Sequence, residues 1–254
     1  MDRHAFTPLD TVAHVWMSLE LPEHVLKSIH LPVDAECYPS SFKVSHLAQA
    51  SIGLSALSAA LVWSLRHDQQ VPEVIVPAQH ACVEFKSERL YILNGKAAPS
   101  TFGTIGGLHK TRDGYIRMHD GFPNHRENAL RTLGLKIGVT REDVSREMLE
   151  WKSLDLETKA IEEGAVMAAL RSFEEWDALP QSEAIVDFPV LLRKVSEGTP
   201  YLAKNIEPGK DTRCLQGLRV VEMSRVIAAP VAGKTLAVHG AVSEHFTGQT
   251  PRLS

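Results

Sequence analysis

Closely spaced cysteines are what disulfide frameworks and zinc sites require, and this chain has almost none. Its three cysteines, Cys37, Cys82 and Cys214, lie far apart with no CxxC pair. That usage argues against a stapled or zinc-held fold, leaves no metal site in view and fits a reducing compartment. The opening MDRHAFTPLDTV lacks the apolar core of a secretory signal. No uninterrupted apolar run approaches the ~20 residues that span a bilayer. Charge is also short. The formal balance of −4, without a Lys/Arg run, gives no reason to expect nucleic acid or a membrane surface as partner. The C-terminal Arg-Leu-Ser is close to the peroxisomal Ser-Lys-Leu address without matching it. The expectation is a cytoplasmic protein. Two common catalytic motifs are missing as well. There is no GxSxG, and although Gly233-Lys234-Thr235 ends like a P-loop, its first glycine would fall on Ala228.

What is present is ordinary globular composition. With 254 residues, 44% of them hydrophobic and 23% charged, the chain can bury one large core or two modest ones. Short helices are expected near Val15–Leu19, before Pro22, and near Val25–Ile29, before Pro32. Residues 45–66 read as a helix apolar or small on nearly every face, capped by Ser45 and buried between other elements. A strand is expected at residues 73–76, running into a helix at about Ala78, with Asn94-Gly95 as the next break. Arg112-Asp113-Gly114 marks a hairpin turn before a strand at 115–118. Helices then follow at about 123–133, 141–151, 156–170 and 173–179. Thr140 with Asp143, and Ser172 with Glu175, fit capping boxes.

The most informative stretch is residues 215–241, LQGLRVVEMSRVIAAPVAGKTLAVHGA. Leu218-Arg219-Val220-Val221 suits a buried strand, and Pro230 suits the first residue of a helix. A strand feeding a helix N-terminus is a geometry that holds anions. Beyond it, residues 242–254 are polar, carry no period and are expected to fray.

This stretch resembles the N-terminal signature of the family III CoA-transferases, which include formyl-CoA transferase, the carnitine/bile-acid-inducible enzymes and α-methylacyl-CoA racemase. Their chains open with Leu-x-Gly-(Ile/Leu)-Arg-Val, matched here by Leu215 and Gly217-Leu218-Arg219-Val220. An aliphatic loop ending Ala-Gly-Pro follows, matched by Ala228-Ala229-Pro230. The helix ends Leu-Gly-Ala, matched by His239-Gly240-Ala241. Upstream, HKTRDGY at 109–115 resembles the Tyr-x-Thr-x-Asp-Gly hairpin that opens the family's small domain. The helices through Trp176 fit the rest of that domain. VIVPAQHACVEF at 74–85 resembles the family's strand-to-helix corner, Val-Asp-Val-Ser-Met-Gln-Asp-Ala.

The resemblance implies an α/β fold, with a partial Rossmann-like large domain and a smaller α+β domain of hairpin plus helices. The implied order is an incomplete large-domain segment at 1–107, the small domain at 108–180 and a linker at 181–214. The first unit of a second large domain follows at 215–241, and then a tail at 242–254. That is the arrangement of a truncated tandem form. The implied activity moves CoA between carboxylic acids. Coenzyme A or acyl-CoA serves as substrate, and no cofactor is permanently bound. The partners are an acyl-CoA and a carboxylic acid, and the chain would pair with itself or with a complete homologue.

In the family, an Asp at the corner attacks the acyl-CoA thioester and then carries CoA as an aspartyl thioester, which only a carboxyl group can do. His80 occupies that place here, and imidazole cannot form the intermediate. It can serve as a general base in racemase-like chemistry. Glu84, four residues on, falls on the same helix face, where it can orient the ring. The plainer alternative is a surface His–Glu pair. Arg225, Val226, Ile227 and Ala228 match the segment that contacts CoA in the family. Small residues there admit a ligand to the main chain, and the plainer alternative is core packing. His119, His125 and Arg126 either meet an anionic ligand or form a solvated cluster.

Overall fold

The computed structural model describes residues 6–32, 37–97, 103–197 and 213–246. Helix α1 (Pro8–Ser18) starts earlier than its apolar run suggests. Thr7 and Asp10 form a capping box, and Pro8 fills a first-turn position where no amide hydrogen bond is lost. A 3₁₀ turn at Glu23–Ser28 leads into β1 (Ile29–His30). Helix α2 (Val44–His67) follows, then β2 (Val74–Ile75), α3 (Ala78–Phe85) and α4 (Ser87–Leu90). The expected Ser45 cap is not used: Lys43 is the N-cap and no side chain caps the helix.

Strands β3 (Ile92–Leu93) and β4 (Lys96–Ala97) form a hairpin around Asn94-Gly95. Both turn residues have positive φ, the geometry of a two-residue hairpin loop. Strands β5 (Gly107–Lys110) and β6 (Tyr115–Met118) are followed by α5 (Pro123–Thr132), α6 (Arg141–Met148), α7 (Ser153–Glu162) and β7 (Met167–Ala169). The helix expected to run through 156–170 is thus cut short. Gly164 at φ +70 ends the turn after α7, and the chain returns as a third strand. The chain continues with α8 (Phe173–Asp177), α9 (Pro180–Ala184), β8 (Arg219–Met223), α10 (Ala228–Val238) and β9 (Val242–Phe246). Pro230 sits in the first turn of α10 rather than at its first position. Residues 242–246, expected to fray, instead pair in parallel with β8, Arg219 opposite Val242. The branched and aromatic ends of that short run suit a strand, which a search for polarity overlooks.

The chain divides into two compact units, one of residues 1–91 with 190–254 and one of residues 92–189. In the second, β5-β6-β7 make an antiparallel sheet whose buried side chains, Ile116, Met118 and Met167, meet Leu130, Val144, Met148 and Leu156 from the helices. The Asp-Gly hairpin is tied to α7. Asp113 accepts from the Ser153 amide and hydroxyl, each at 2.8 Å, and Thr111 Oγ1 lies 2.8 Å from Ser153 Oγ. These bonds hold the Asp113 carboxyl below the usual carboxylate range. Arg171 and Glu157 form a bidentate pair that joins the end of β7 to α7.

In the first unit, Val12, Trp16, Val25, Ile29, Ala50 and Leu57 form one cluster, with Ala48, Val76, Ala81 and Cys82 as another beside it. Helix α2 is long and apolar enough to cross a bilayer by length and composition alone. Its Ala48, Gln49, Gly53, Leu57 and Ala60 are nonetheless buried within this unit. Gln49, 1% exposed, donates to the carbonyls of Pro32 and Val76, both at 2.8 Å. Replacing it by leucine leaves the buried Val76 carbonyl without its donor and Pro32 O with only the Ala78 amide. Gln49→Leu is therefore expected to lower unfolding free energy by about 1–3 kcal/mol in urea titrations, with unchanged helix content in the native baseline.

Candidate functional site

Two ladder bonds fix the corner that precedes α3. The Val76 amide donates to His30 O at 3.0 Å, and the Ala78 amide to Pro32 O at 3.2 Å. With β1 parallel to β2 and Gln49 bridging both chain ends, the first turn of α3 is set against α2. Ala78, Ala81 and Cys82 face inward, so the positions between them must face out. His80 and Glu84 are both on that outward face and both exposed. Their i, i+4 spacing does not make a pair. Among the described residues, no hydrogen bond joins His80 to Glu84.

Glu84 is engaged elsewhere. Its Oε1 lies 2.5 Å from Lys234 Nζ on α10, an exposed ion pair 150 residues apart in sequence. Lys234 belongs to the Gly-Lys-Thr triplet that fails the P-loop spacing. Helical spacing alone gave no signal of its partner. The triplet's glycine has its own reason: a Cβ at Gly233 would overlap the Glu222 carboxylate, which the Ser224 hydroxyl also contacts. The small residue thus lets α10 sit close on β8.

Arg225, Val226 and Ile227 lie in the turn between β8 and α10, Ala228 opens the helix, and all four are exposed. No side chain caps the helix, whose N-cap is Ile227. Uncapped first-turn amides are available to water or an anionic ligand. Arg66 braces the entry to this unit from α2, donating to the carbonyls of Cys214 and Gln216 at 2.5 and 2.9 Å.

In the other unit, His109 is 3% exposed and fully engaged, with Nδ1 2.9 Å from Ser145 Oγ and Nε2 2.9 Å from Ile105 O. Burial, then the nearby Arg141, pushes its pKa down, and both ring nitrogens are spent on holding the fold. Buried Asp120 accepts from the amides of Ile105 and Gly106 at 2.9 and 2.6 Å. A Cβ at Gly103 or Gly106 would overlap that carboxylate, which explains the glycines of this loop. His119 and His125 converge, with their Nδ1 atoms 3.0 Å apart.

No family model matches the chain. A curated protein of Gibberella moniliformis named acyl-CoA transferase is 26% identical over 240 residues, covering 82% of this chain and 42% of its own length. The chain therefore spans less than half of the relative it matches. Among solved structures, a hypothetical protein of Mycobacterium tuberculosis has a TM-score of 0.49 at 12% identity, over 78% of this chain and 74% of its own. A CAIB/BAIF family protein of Brucella suis has a TM-score of 0.44 at 14% identity, over 59% of this chain and 46% of its own. The chain is thus similar to one acyl-CoA transferase, which supports the resemblance to the family III CoA-transferases that its motifs carry.

Both partners of the Lys234–Glu84 pair are about half exposed, so water screens it. A double-mutant cycle with Lys234→Ala and Glu84→Ala is expected to give a coupling of at most about 1 kcal/mol in thermal or urea unfolding. A larger value would make the pair a structural brace and not a part of the site.

Proposed function

We propose that this chain handles acyl-CoA as a CoA-transferase of the family III type, moving CoA between carboxylic acids. The observation that carries the reading is the 26% identical acyl-CoA transferase, matched across 82% of the chain. The parallel β8–α10–β9 unit supports it, because its uncapped helix start beside Arg225, Val226, Ile227 and Ala228 suits the phosphates of CoA. The same unit supports a Rossmann-like reading of the larger domain.

The transferase step needs a carboxylate, and His80 cannot supply one. Glu84 lies one helical turn along the same exposed face of α3. In this reading the Glu84 carboxylate attacks the thioester carbonyl, forming a mixed anhydride and expelling the CoA thiolate. The thiolate then attacks the glutamyl carbonyl, releasing the first acid as its carboxylate and leaving a glutamyl thioester. The acceptor carboxylate repeats both steps in reverse. Glu84 must leave Lys234 to do this.

A second reading has its own observation in the exposed imidazole of His80, which is open to a proton α to a thioester. A racemase or epimerase would use it as the general base, with no covalent adduct. Intact-mass analysis after incubation with acetyl-CoA separates the two. The transferase reading expects a CoA adduct that Glu84→Gln abolishes, while His80→Ala retains it. Solvent deuterium at the α-carbon of a 2-methylacyl-CoA, without an adduct and lost in His80→Ala, would replace it by the racemase. Binding without either product would leave a non-catalytic homologue that pairs with a complete subunit, and the transferase proposal would fall.

A further inference from the structure

Lys234 is the point at which α10 touches the proposed nucleophile. It lies ~9 Å along the helix axis from Ala228, where the uncapped start is open to an anion. The carboxylate of the strand beneath, Glu222, is engaged by the hydroxyls of Ser224 and Ser243. The Lys234 ammonium reaches instead to α3, where Glu84 Oε1 is 2.5 Å from Nζ. Both side chains are about half exposed, so a small anion in solution has access to the pair.

The proposed chemistry changes the charge at this contact. An ammonium carries three N–H donors, and the Glu84 oxygen takes one of them. Once the Glu84 carboxylate has become a glutamyl thioester it is neutral, and the ammonium beside it has lost its anion. The next step consumes another carboxylate, which must bring an oxygen to the glutamyl carbonyl carbon. Lys234 stands next to that carbon and holds a carboxylate oxygen there in the resting protein. The resting ion pair is thus a stand-in for the contact that an acceptor acid needs.

We propose, on the reading that Glu84 is the nucleophile, that Lys234 is the acceptor-binding residue, taking up the incoming carboxylate when acylation neutralises Glu84. One oxygen of that carboxylate bonds to the glutamyl carbon, and the C–S bond breaks to release the CoA thiolate. The thiolate attacks the acceptor's carbonyl carbon in the resulting anhydride. The C–O bond to the glutamyl group breaks, and the new acyl-CoA is complete. Glu84 is again a carboxylate and returns to Lys234. No proton is gained or lost in the cycle.

Exchange of labelled acetate into acetyl-CoA tests this, because donor and acceptor acids are then the same. Intact mass follows the CoA adduct in parallel. Lys234→Ala is expected to lower kcat/KM for acetate by about 5-fold or more, the upper worth of an exposed ion pair. The constant for acetyl-CoA should fall less, since the variant also lacks the resting pair that native Glu84 must break. Lys234→Arg, which keeps the charge, should recover most of the loss. A merely structural lysine would lower both constants alike. Equal losses, or no loss for acetate, overturn the assignment while the adduct keeps the transferase reading. A native protein that forms no adduct and exchanges no label removes both. Melting curves of the two variants show whether they are folded.

Discussion

A single buried amide sets the geometry of the corner on which the candidate site is built. Gln49 lies inside α2, where a polar side chain without partners would cost free energy. Its NH₂ group instead satisfies the carbonyls at the ends of two short strands, just where each chain leaves its ladder. Pro32 O also accepts from the Ala78 amide, so Gln49 adds a second bond there and supplies the donor to Val76 O. With both strand ends fixed to one side chain, the helix that follows starts in one place and presents one face. His80 and Glu84 are exposed as a consequence of where Ala78, Ala81 and Cys82 are buried.

Much of this was readable from local pattern, because local physics decides it. Thr140–Asp143 and Ser172–Glu175 form the capping boxes that their spacing predicts. Helix α2 falls within a residue of its expected ends, since a long apolar run has few alternatives. Failures came where a distant partner decided the outcome. The Thr7–Asp10 box of α1 has the same local spacing and was overlooked because it precedes the apolar run, whereas nothing local says that residues 167–169 return to pair with β6. The parallel pairing of β9 with β8 across α10 is likewise a non-local event.

The site shows the same division. That His80 and Glu84 share an exposed helix face follows from 3.6-residue periodicity and was legible. That Glu84 turns to Lys234 was not, since the two are brought together only by packing within the unit. Motif resemblance has a similar limit. The Thr-x-Asp-Gly hairpin matched a family pattern, yet its Thr111 and Asp113 are occupied in holding Ser153 at the start of α7. A motif can persist because the fold needs it.

The account comes down to whether the turn between β8 and α10 receives CoA. Sequence likeness to an acyl-CoA transferase, an uncapped helix start and exposed residues 225–228 all bear on that turn. Hydrogen–deuterium exchange with and without acetyl-CoA tests it directly, because a ligand bound to those amides slows their exchange. The account predicts slowed exchange centred on residues 225–231. Unchanged exchange there, with protection at other segments or none at all, would contradict it.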